Sequence, residues 1–278
     1  MEKNESNQFK TVVITGSSRG LGYEMAKQFF LLGWNVVING LNEEHLQLAV
    51  DNLKKHENKS RVVSFKGNIT NEKDVQGLLD FAVKTFQNID IWINNAGINQ
   101  PPKPIWELND KEIDSILNTN LKGVIIGTKL ATIQMQKQQN GGYIYNMEGL
   151  GSNDDMMLGY NIYGTTKRAV THFTQAYAKE LEETKSKVKI GRLSPGIVIT
   201  DFLTKPLNGE QEINLSEKTK NVYNILGDYP DVVAEFLVNN MINTTVNNAH
   251  IEWLTKSKAA WRFMTSGFNK RNFFKKNE

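Results

Sequence analysis

An alternation along the first two hundred residues restricts the fold more than any other feature. Six short runs rich in β-branched and apolar residues, Thr11–Thr15, Asn35–Asn39, Arg61–Lys66, Ile89–Ile93, Gly142–Asn146 and Val188–Leu193, are separated by stretches long enough for helices. Those stretches lie near Leu21–Leu32, Glu43–His56, Glu72–Phe86, Asp110–Gln138 and Tyr160–Glu183. Several runs are apolar almost throughout, the pattern of parallel strands covered on both faces. The repetition predicts an α/β protein: a doubly wound parallel sheet with right-handed crossovers and helices on both faces. Near Pro230 a further helix begins, where Pro suits the first turn and Asp231 the dipole, and His250–Leu254 offers a last short strand.

No linker, repeat or low-complexity segment interrupts the 278 residues, so a single domain spanning 1–278 is expected. Periodicity fails between Pro195 and Gly227; a long polar segment of this kind in a compact domain is a functional lid or a disordered loop, and we place the lid at 202–227.

Composition removes several chemistries. There is no cysteine, which excludes disulfides, thiolate nucleophiles and cysteine-ligated metals. His45, His56, His172 and His250 never fall at ligand spacing, so no metal is expected. A net charge of +3 argues against a nucleic-acid binder, but it hides an asymmetry. From Ile251 onward seven basic residues face two acidic ones, leaving 26 basic against 28 acidic residues in the body. No stretch approaches the roughly 20 apolar residues of a membrane-spanning helix. Met1–Lys10 is polar and has no apolar segment like that of a signal peptide, so the expectation is a cytoplasmic protein.

Directly after the first run stands Thr15-Gly16-Ser17-Ser18-Arg19-Gly20-Leu21-Gly22, leading into a helix. Glycines at such a turn permit close backbone approach, and the helix N-terminus presents free N–H groups to a pyrophosphate. The second strand ends Ile38-Asn39-Gly40-Leu41-Asn42, with no acid until Glu43 to repel a 2′-phosphate. Arg19 offers a guanidinium suited to that phosphate, so NADP(H) is favoured over NAD(H), with Arg19 as a solvated surface charge the alternative.

Tyr163-Gly164-Thr165-Thr166-Lys167 opens a helical stretch, which puts Tyr163 and Lys167 on one face. An ammonium so placed is expected to lower the phenol's pKa and to reach the ribose of a bound cofactor. Tyr23 and Lys27 have the same spacing but lie on the first helix, whereas Tyr163 follows the fifth strand, where the ends of parallel strands build ligand sites.

Taken together, Thr15–Gly22, Asn94-Asn95-Ala96-Gly97, Asn120 in Asn120-Leu121-Lys122-Gly123, the Tyr163 and Lys167 pair, and Pro195-Gly196 with Thr200 resemble the short-chain dehydrogenase/reductase family in order and spacing over about residues 10–254. That resemblance implies a Rossmann sheet of about seven strands. It implies Tyr163 as proton donor or acceptor, Lys167 on the ribose and the phenol, Asn120 holding a relay water, and Thr200 near the carboxamide. It further implies cofactor contacts from Gly16, Ser18, Arg19, Gly20, Leu21, Gly22, Leu41, Asn68, Ile69, Asn95, Ala96, Gly97, Pro195, Gly196, Val198 and Thr200, besides Tyr163 and Lys167. Asn68 stands where the family commonly has Asp and leaves an amide for the adenine edge. Family members commonly pair the helices around Asp110–Gln138 and Tyr160–Glu183 across a two-fold axis, so a homo-oligomer, dimer or tetramer, is expected.

One departure matters. The family places an active-site serine about thirteen residues before the tyrosine, and that count lands on Leu150 in Asn146-Met147-Glu148-Gly149-Leu150-Gly151-Ser152. Three readings stand: Ser152 orients the substrate carbonyl from a rebuilt loop, Glu148 or backbone N–H groups replace the serine, or the chain is a non-catalytic NADP(H)-binding regulator. The same segment, with Ser194-Pro195-Gly196, Thr200-Asp201 and the stretch from Leu254-Thr255-Lys256 to Trp261-Arg262-Phe263, is similar to the chlorophyll(ide) b reductase branch. In that branch NADPH reduces a formyl group on a chlorin ring; with no transit peptide, a bacterial relative is expected. A small-molecule carbonyl substrate follows, either a bulky apolar one or a steroid, sugar or other carbonyl compound. The basic aromatic tail, 255–278, either caps the substrate side or a subunit contact, or anchors the protein peripherally at a membrane.

Overall fold

The computed structural model describes residues 9–205, 215–268 and 270–274. Seven strands, β1 (Thr11–Ile14), β2 (Asn35–Gly40), β3 (Val62–Lys66), β4 (Ile91–Asn94), β5 (Gly142–Met147), β6 (Val188–Ser194) and β7 (Ala249–Glu252), form one sheet in the order β3-β2-β1-β4-β5-β6-β7. Every neighbouring pair is parallel. The chain winds outward in both directions from β1 and β4, which creates a crevice at the carboxyl ends of these strands.

The helices are α1 (Gly20–Leu31), α2 (Glu43–Lys54), α3 (Glu72–Phe86), α4 (Asp110–Leu117), α5 (Gly123–Lys137), α6 (Asn161–Glu183), α7 (Glu217–Leu226), α8 (Pro230–Asn243) and α9 (Lys256–Thr265). Because side chains alternate along a strand and both faces are covered, β1 sends Val12 and Ile14 into the core beneath α1, α2 and α8. Val13 enters the opposite core beneath α3, α5 and α6. This double burial explains why the strands read as continuous apolar runs.

Three elements differ from expectation. The predicted helix Asp110–Gln138 is interrupted by a π-helical turn at Asn118–Lys122, so α4 and α5 are separate segments. The aperiodic stretch contains the ten-residue α7, and the tail contains α9, neither of which the sequence announced. Part of the expected lid (206–214), and Asn269, Lys275 and Lys276 of the tail, lie outside the described residues, as does most of the polar N-terminus. Among the described residues no helix is long and apolar enough to cross a membrane.

Candidate active site

The turn between β1 and α1 is shaped by what it touches. Gly16 and Gly20 have φ of 60° and 61°, a region that disfavours side chains. A Cβ on Gly16 would lie 2.7 Å from Ala96 Cα, and one on Gly22 2.5 Å from Asn95 Nδ2. The turn therefore rests against Asn95 and Ala96, which hold it: Asn95 Nδ2 donates to the Thr15 and Gly16 carbonyls, both at 2.9 Å. The Thr15 hydroxyl accepts from the backbone N–H of Asn95 and Ala96 at 3.0 and 3.1 Å. At the start of α1 no side chain caps the helix and the first turn carries no acid. An uncapped helix N-terminus behind a glycine turn fits a dinucleotide pyrophosphate.

Around that turn, the end of β2 carries no acid, and its Asn39 is used structurally. It is buried and donates through Nδ2 to the Phe65 and Gly67 carbonyls at 3.2 and 3.0 Å, tying β2 to β3. Arg19 is exposed at the entry to α1, and Leu41 is exposed beyond β2. Ser18 lies against Gly40, where a Cβ would stand 3.1 Å from its hydroxyl. Asn68 Oδ1 accepts from the N–H and the hydroxyl of Thr70, both at 3.0 Å, and Ile69 packs against Gly123 at the start of α5.

The first turn of α6 is set by Gln100, a fully buried residue that the sequence reading did not single out. It accepts from Tyr163 N–H at 3.0 Å and donates to the Gly159 carbonyl at 2.7 Å. Tyr163 and Lys167 share the buried face of α6, with Lys167 Nζ donating to the Met147 carbonyl at 3.0 Å. Asn120 sits in the π turn with no exposed surface, and its amide grips Ile98 twice, through N–H and carbonyl, both at 2.8 Å. A Cβ on Gly97 would lie 3.3 Å from Asn120 Oδ1 and 3.9 Å from Lys167 Nζ, so this glycine lets the two polar groups converge.

The segment after β5 corrects the expected serine position. The residue facing the tyrosine is Gly149, not Leu150: a Cβ on Gly149 would lie 2.4 Å from the Tyr163 hydroxyl, whereas Leu150 is exposed. The loop before α6 holds one residue more than the thirteen-residue count assumes. Ser152 folds back over Gly149, its N–H donating to the Gly149 carbonyl and its hydroxyl accepting from Gly149 N–H, both at 3.0 Å.

Glu148 cannot stand in for the serine, because its carboxylate is sealed behind the loop. Thr171 donates to it at 2.7 Å, Arg192 Nη1 lies at 3.3 Å and His250 Nε2 at 3.1 Å, and Ser194 donates to Oε2 as well. Burial works to raise its pKa, but the bonds from His250, Ser194 and Thr171 and the Arg192 charge hold it down, at about 2.

Electrostatics at the tyrosine also differ from expectation. Burial, reinforced by Tyr223 and Tyr160, raises the Tyr163 pKa above the ordinary phenol value instead of lowering it. Burial likewise lowers Lys167 to about 8, against the opposing pull of Glu148. The pair is thus a protonated phenol beside an amine poised near neutrality.

The Phe202 ring covers the tyrosine edge-on at 6.1 Å between centroids, and Tyr160 and Tyr223 act on its charge. Thr200 reaches the glycine turn, its Cγ2 standing 3.8 Å from where a Gly20 Cβ would be. Pro195 and Gly196 follow β6, Gly196 with φ of 70° because Leu254 crowds it, and Val198 bridges Asp228. Among the described residues no three His, Asp or Glu side chains are grouped to hold a metal ion.

Comparison with known proteins fits this geometry. Residues 10–211 match the short chain dehydrogenase family. The chain is 36% identical over 260 residues to the chloroplastic chlorophyll(ide) b reductase NOL of Oryza sativa subsp. japonica, covering 91% of this chain and 74% of that protein. It is 32% identical to a diacetyl reductase of Staphylococcus epidermidis across 69% of this chain and 73% of that enzyme. Among solved structures, the 3-ketoacyl-(acyl-carrier-protein) reductase of Brucella melitensis superposes with a TM-score of 0.75 at 23% identity, over 90% of this chain and 98% of that one.

Proposed function

The chain belongs to the short-chain dehydrogenase family, and on that premise we propose that it is an NADPH-dependent reductase of aldehydes or ketones, acting on a formyl group of a bulky, apolar, chlorophyll-like ring. The observation that carries this reading is the convergence of the Tyr163 hydroxyl, Gly149, Lys167 and Asn120 beneath an aromatic roof. When bound, the reduced nicotinamide supplies the hydride. The residues of this chain do the rest. Gly16, Gly20 and Gly22 let the pyrophosphate approach the α1 N-terminus, and Asn95, Ala96, Pro195, Gly196, Val198 and Thr200 line the remaining length.

Tyr163, kept protonated by burial, donates its proton to the developing alkoxide, and Ser152 orients the carbonyl oxygen from the loop folded over Gly149. Lys167 returns a proton to the phenolate and regains one through water, with Asn120 positioned to hold the relay water. Preference for the 2′-phosphate is supported by Arg19 and by Asn39, which brings no negative charge to the end of β2. The bulky substrate is supported by the relatives and by the apolar side chains of the loop that leads into α6, where Met156 and Leu158 are almost fully exposed.

The test is a panel in which NADPH or NADH is offered with a formyl-chlorin and with diacetyl. NADPH oxidation fastest with the chlorin is expected; reduction of diacetyl alone would favour the small-ketone reading, for which the diacetyl reductase relative speaks. Arg19→Ala should bring the Kd values of NADPH and NADH within about threefold of each other by removing a charge-assisted phosphate contact. An unchanged ratio would take Arg19 out of cofactor choice.

The neighbourhood of Gly149 supplies a second expectation. Gly149→Ala would push a methyl group into the Tyr163 hydroxyl, and a displacement of about 1 Å at a reacting group can cost about a hundredfold in rate. Steady-state kinetics of this variant beside Ser152→Ala, with NADPH affinity as the control, checks it. A Gly149→Ala enzyme of normal rate would mean that the tyrosine hydroxyl acts from elsewhere.

A further inference from the structure

The basic tail has no part in the chemistry above, yet two of its cations, Arg262 and Arg271, are turned inward. Arg262 Nη1 lies 2.6 Å from Asp228 Oδ2, and Arg271 Nη1 lies 3.1 Å from Oδ1 of the same carboxylate. Trp253 Nε1 also donates to Asp228 Oδ2, at 2.7 Å. Conversely, Trp261, Met264 and Phe268 point outward and are 55%, 73% and 92% exposed. The work of these two arginines therefore lies inside the molecule.

That work falls on α7. A helix of ten residues is marginal by itself, and none of the side chains of α7 is fully buried. Its last carbonyls lack intrahelical partners, as at any helix end. Here the tail satisfies them: Arg262 donates to the Leu226 carbonyl at 2.9 Å, and Arg271 donates to that of Gly227 at 2.9 Å and also to that of Ile225. Phe273 N–H donates to the Asn224 side chain at 2.8 Å, and the Phe273 ring meets Tyr229 edge-on at 4.9 Å. The backbone of Asp228 is bonded to Ile197 and Ile199, in the segment that carries Thr200. The Phe274 ring of the tail also meets Tyr223 of α7, 6.3 Å between centroids.

We propose that the C-terminal tail is a strut that fixes α7, with Arg262 and Arg271 acting through Asp228 to hold α7 and its Tyr223 against the segment that carries Thr200, which makes Asp228 and Arg271 positioning residues for a bulky substrate. The consequence for turnover rests on the reductase reading; the strut itself does not.

The experiment uses the full chain with Arg271→Ala, and Arg271→Lys as the conservative variant, and follows amide hydrogen exchange together with kinetics on a formyl-chlorin and on diacetyl. Loss of charge-assisted bonds at the end of α7 should accelerate exchange over 217–226 by about tenfold while α5 is unchanged. The KM for the chlorin should rise by about tenfold, with kcat and the KM for diacetyl within about twofold of the unaltered enzyme. Arg271→Lys, which keeps the charge and loses the fork, should fall between.

Unchanged exchange in α7 overturns the strut, as does equal acceleration in α5 and α7 in both variants. Faster exchange in α7 with no change in the KM for the chlorin overturns the positioning role. If the unaltered protein reduces no carbonyl compound, that counts against the reductase reading alone, and exchange in α7 then decides the strut.

Discussion

Tyr163→Phe is expected to lower carbonyl reduction by about a thousandfold or more while leaving NADPH affinity within about threefold, the loss typical of removing a positioned general acid. The ring stays, so its packing against Phe202 survives and only the proton is lost. Burial keeps that phenol protonated well above neutral pH, the state a reductase needs, and the limiting titration passes to Lys167 at about 8. Below that pH the lysine is an ammonium able to pass a proton back to the phenolate; above it the proton is gone. The kcat/KM for reduction should accordingly fall as pH rises through about 8, since this parameter reports groups of the free enzyme. A profile flat from about pH 7 to 10 would remove Lys167 from the proton path, and substantial turnover by the phenylalanine variant would remove Tyr163.

The second large effect concerns stability. Glu148→Ala should destabilise the fold by about 3 kcal/mol near neutral pH, the order expected when one partner of a buried ion pair is removed. It would leave the Arg192 guanidinium, whose Nε already lacks a partner among the described residues, without its carboxylate, and would remove one acceptor each from Thr171 and Ser194. The sign with pH follows from the depressed pKa. The carboxyl ionises at about 2 in the fold against an ordinary value of 4.5. Its contribution is therefore complete above about 4.5 and fades as pH falls towards about 2. Urea unfolding of both proteins at pH 7 and pH 3 should give a difference that shrinks by about half or more at the lower pH. A difference equal at both values would mean that Glu148 acts through packing and not charge.

What the sequence disclosed and what it concealed divide along contact distance. The glycine turn, the pairing of Tyr163 with Lys167, and the strands were readable because their chemistry is fixed by neighbours a few residues away: a turn needs its glycines, and i and i+4 share a helix face. The position of Gly149 was not, since a one-residue change in loop length moves the count without altering any motif. Glu148 looked available to substrate because Thr171, Arg192, Ser194 and His250, which enclose it, arrive from α6, β6 and β7. The phenol's raised pKa comes from tertiary burial, reinforced by Tyr223, sixty residues along the chain. Helices α7 and α9 escaped notice for the same reason, as each is held by bonds to the other's flank and not by a buried stripe of its own. Gln100 gave one faint signal: it lies three residues beyond Asn94-Asn95-Ala96-Gly97, and a buried amide so close to a binding motif could have been suspected of bracing it.

The π turn at Asn118–Lys122 can be regarded as a change of phase within one long helix. Each residue of an α-helix advances it by about 100°, so one extra residue in a turn rotates everything before it relative to everything after. Here α4 faces α6 while α5 faces α3, two neighbours on the same face of the sheet, and the buried Asn120 sits at the junction between them. Deleting a single residue between Asn118 and Lys122 would restore a regular helix and at the same time swing Ile116, fully buried on α4, out of register by about a third of a turn. The irregularity that seats the amide is thus also the gearing by which a single helical rod meets two different neighbouring helices.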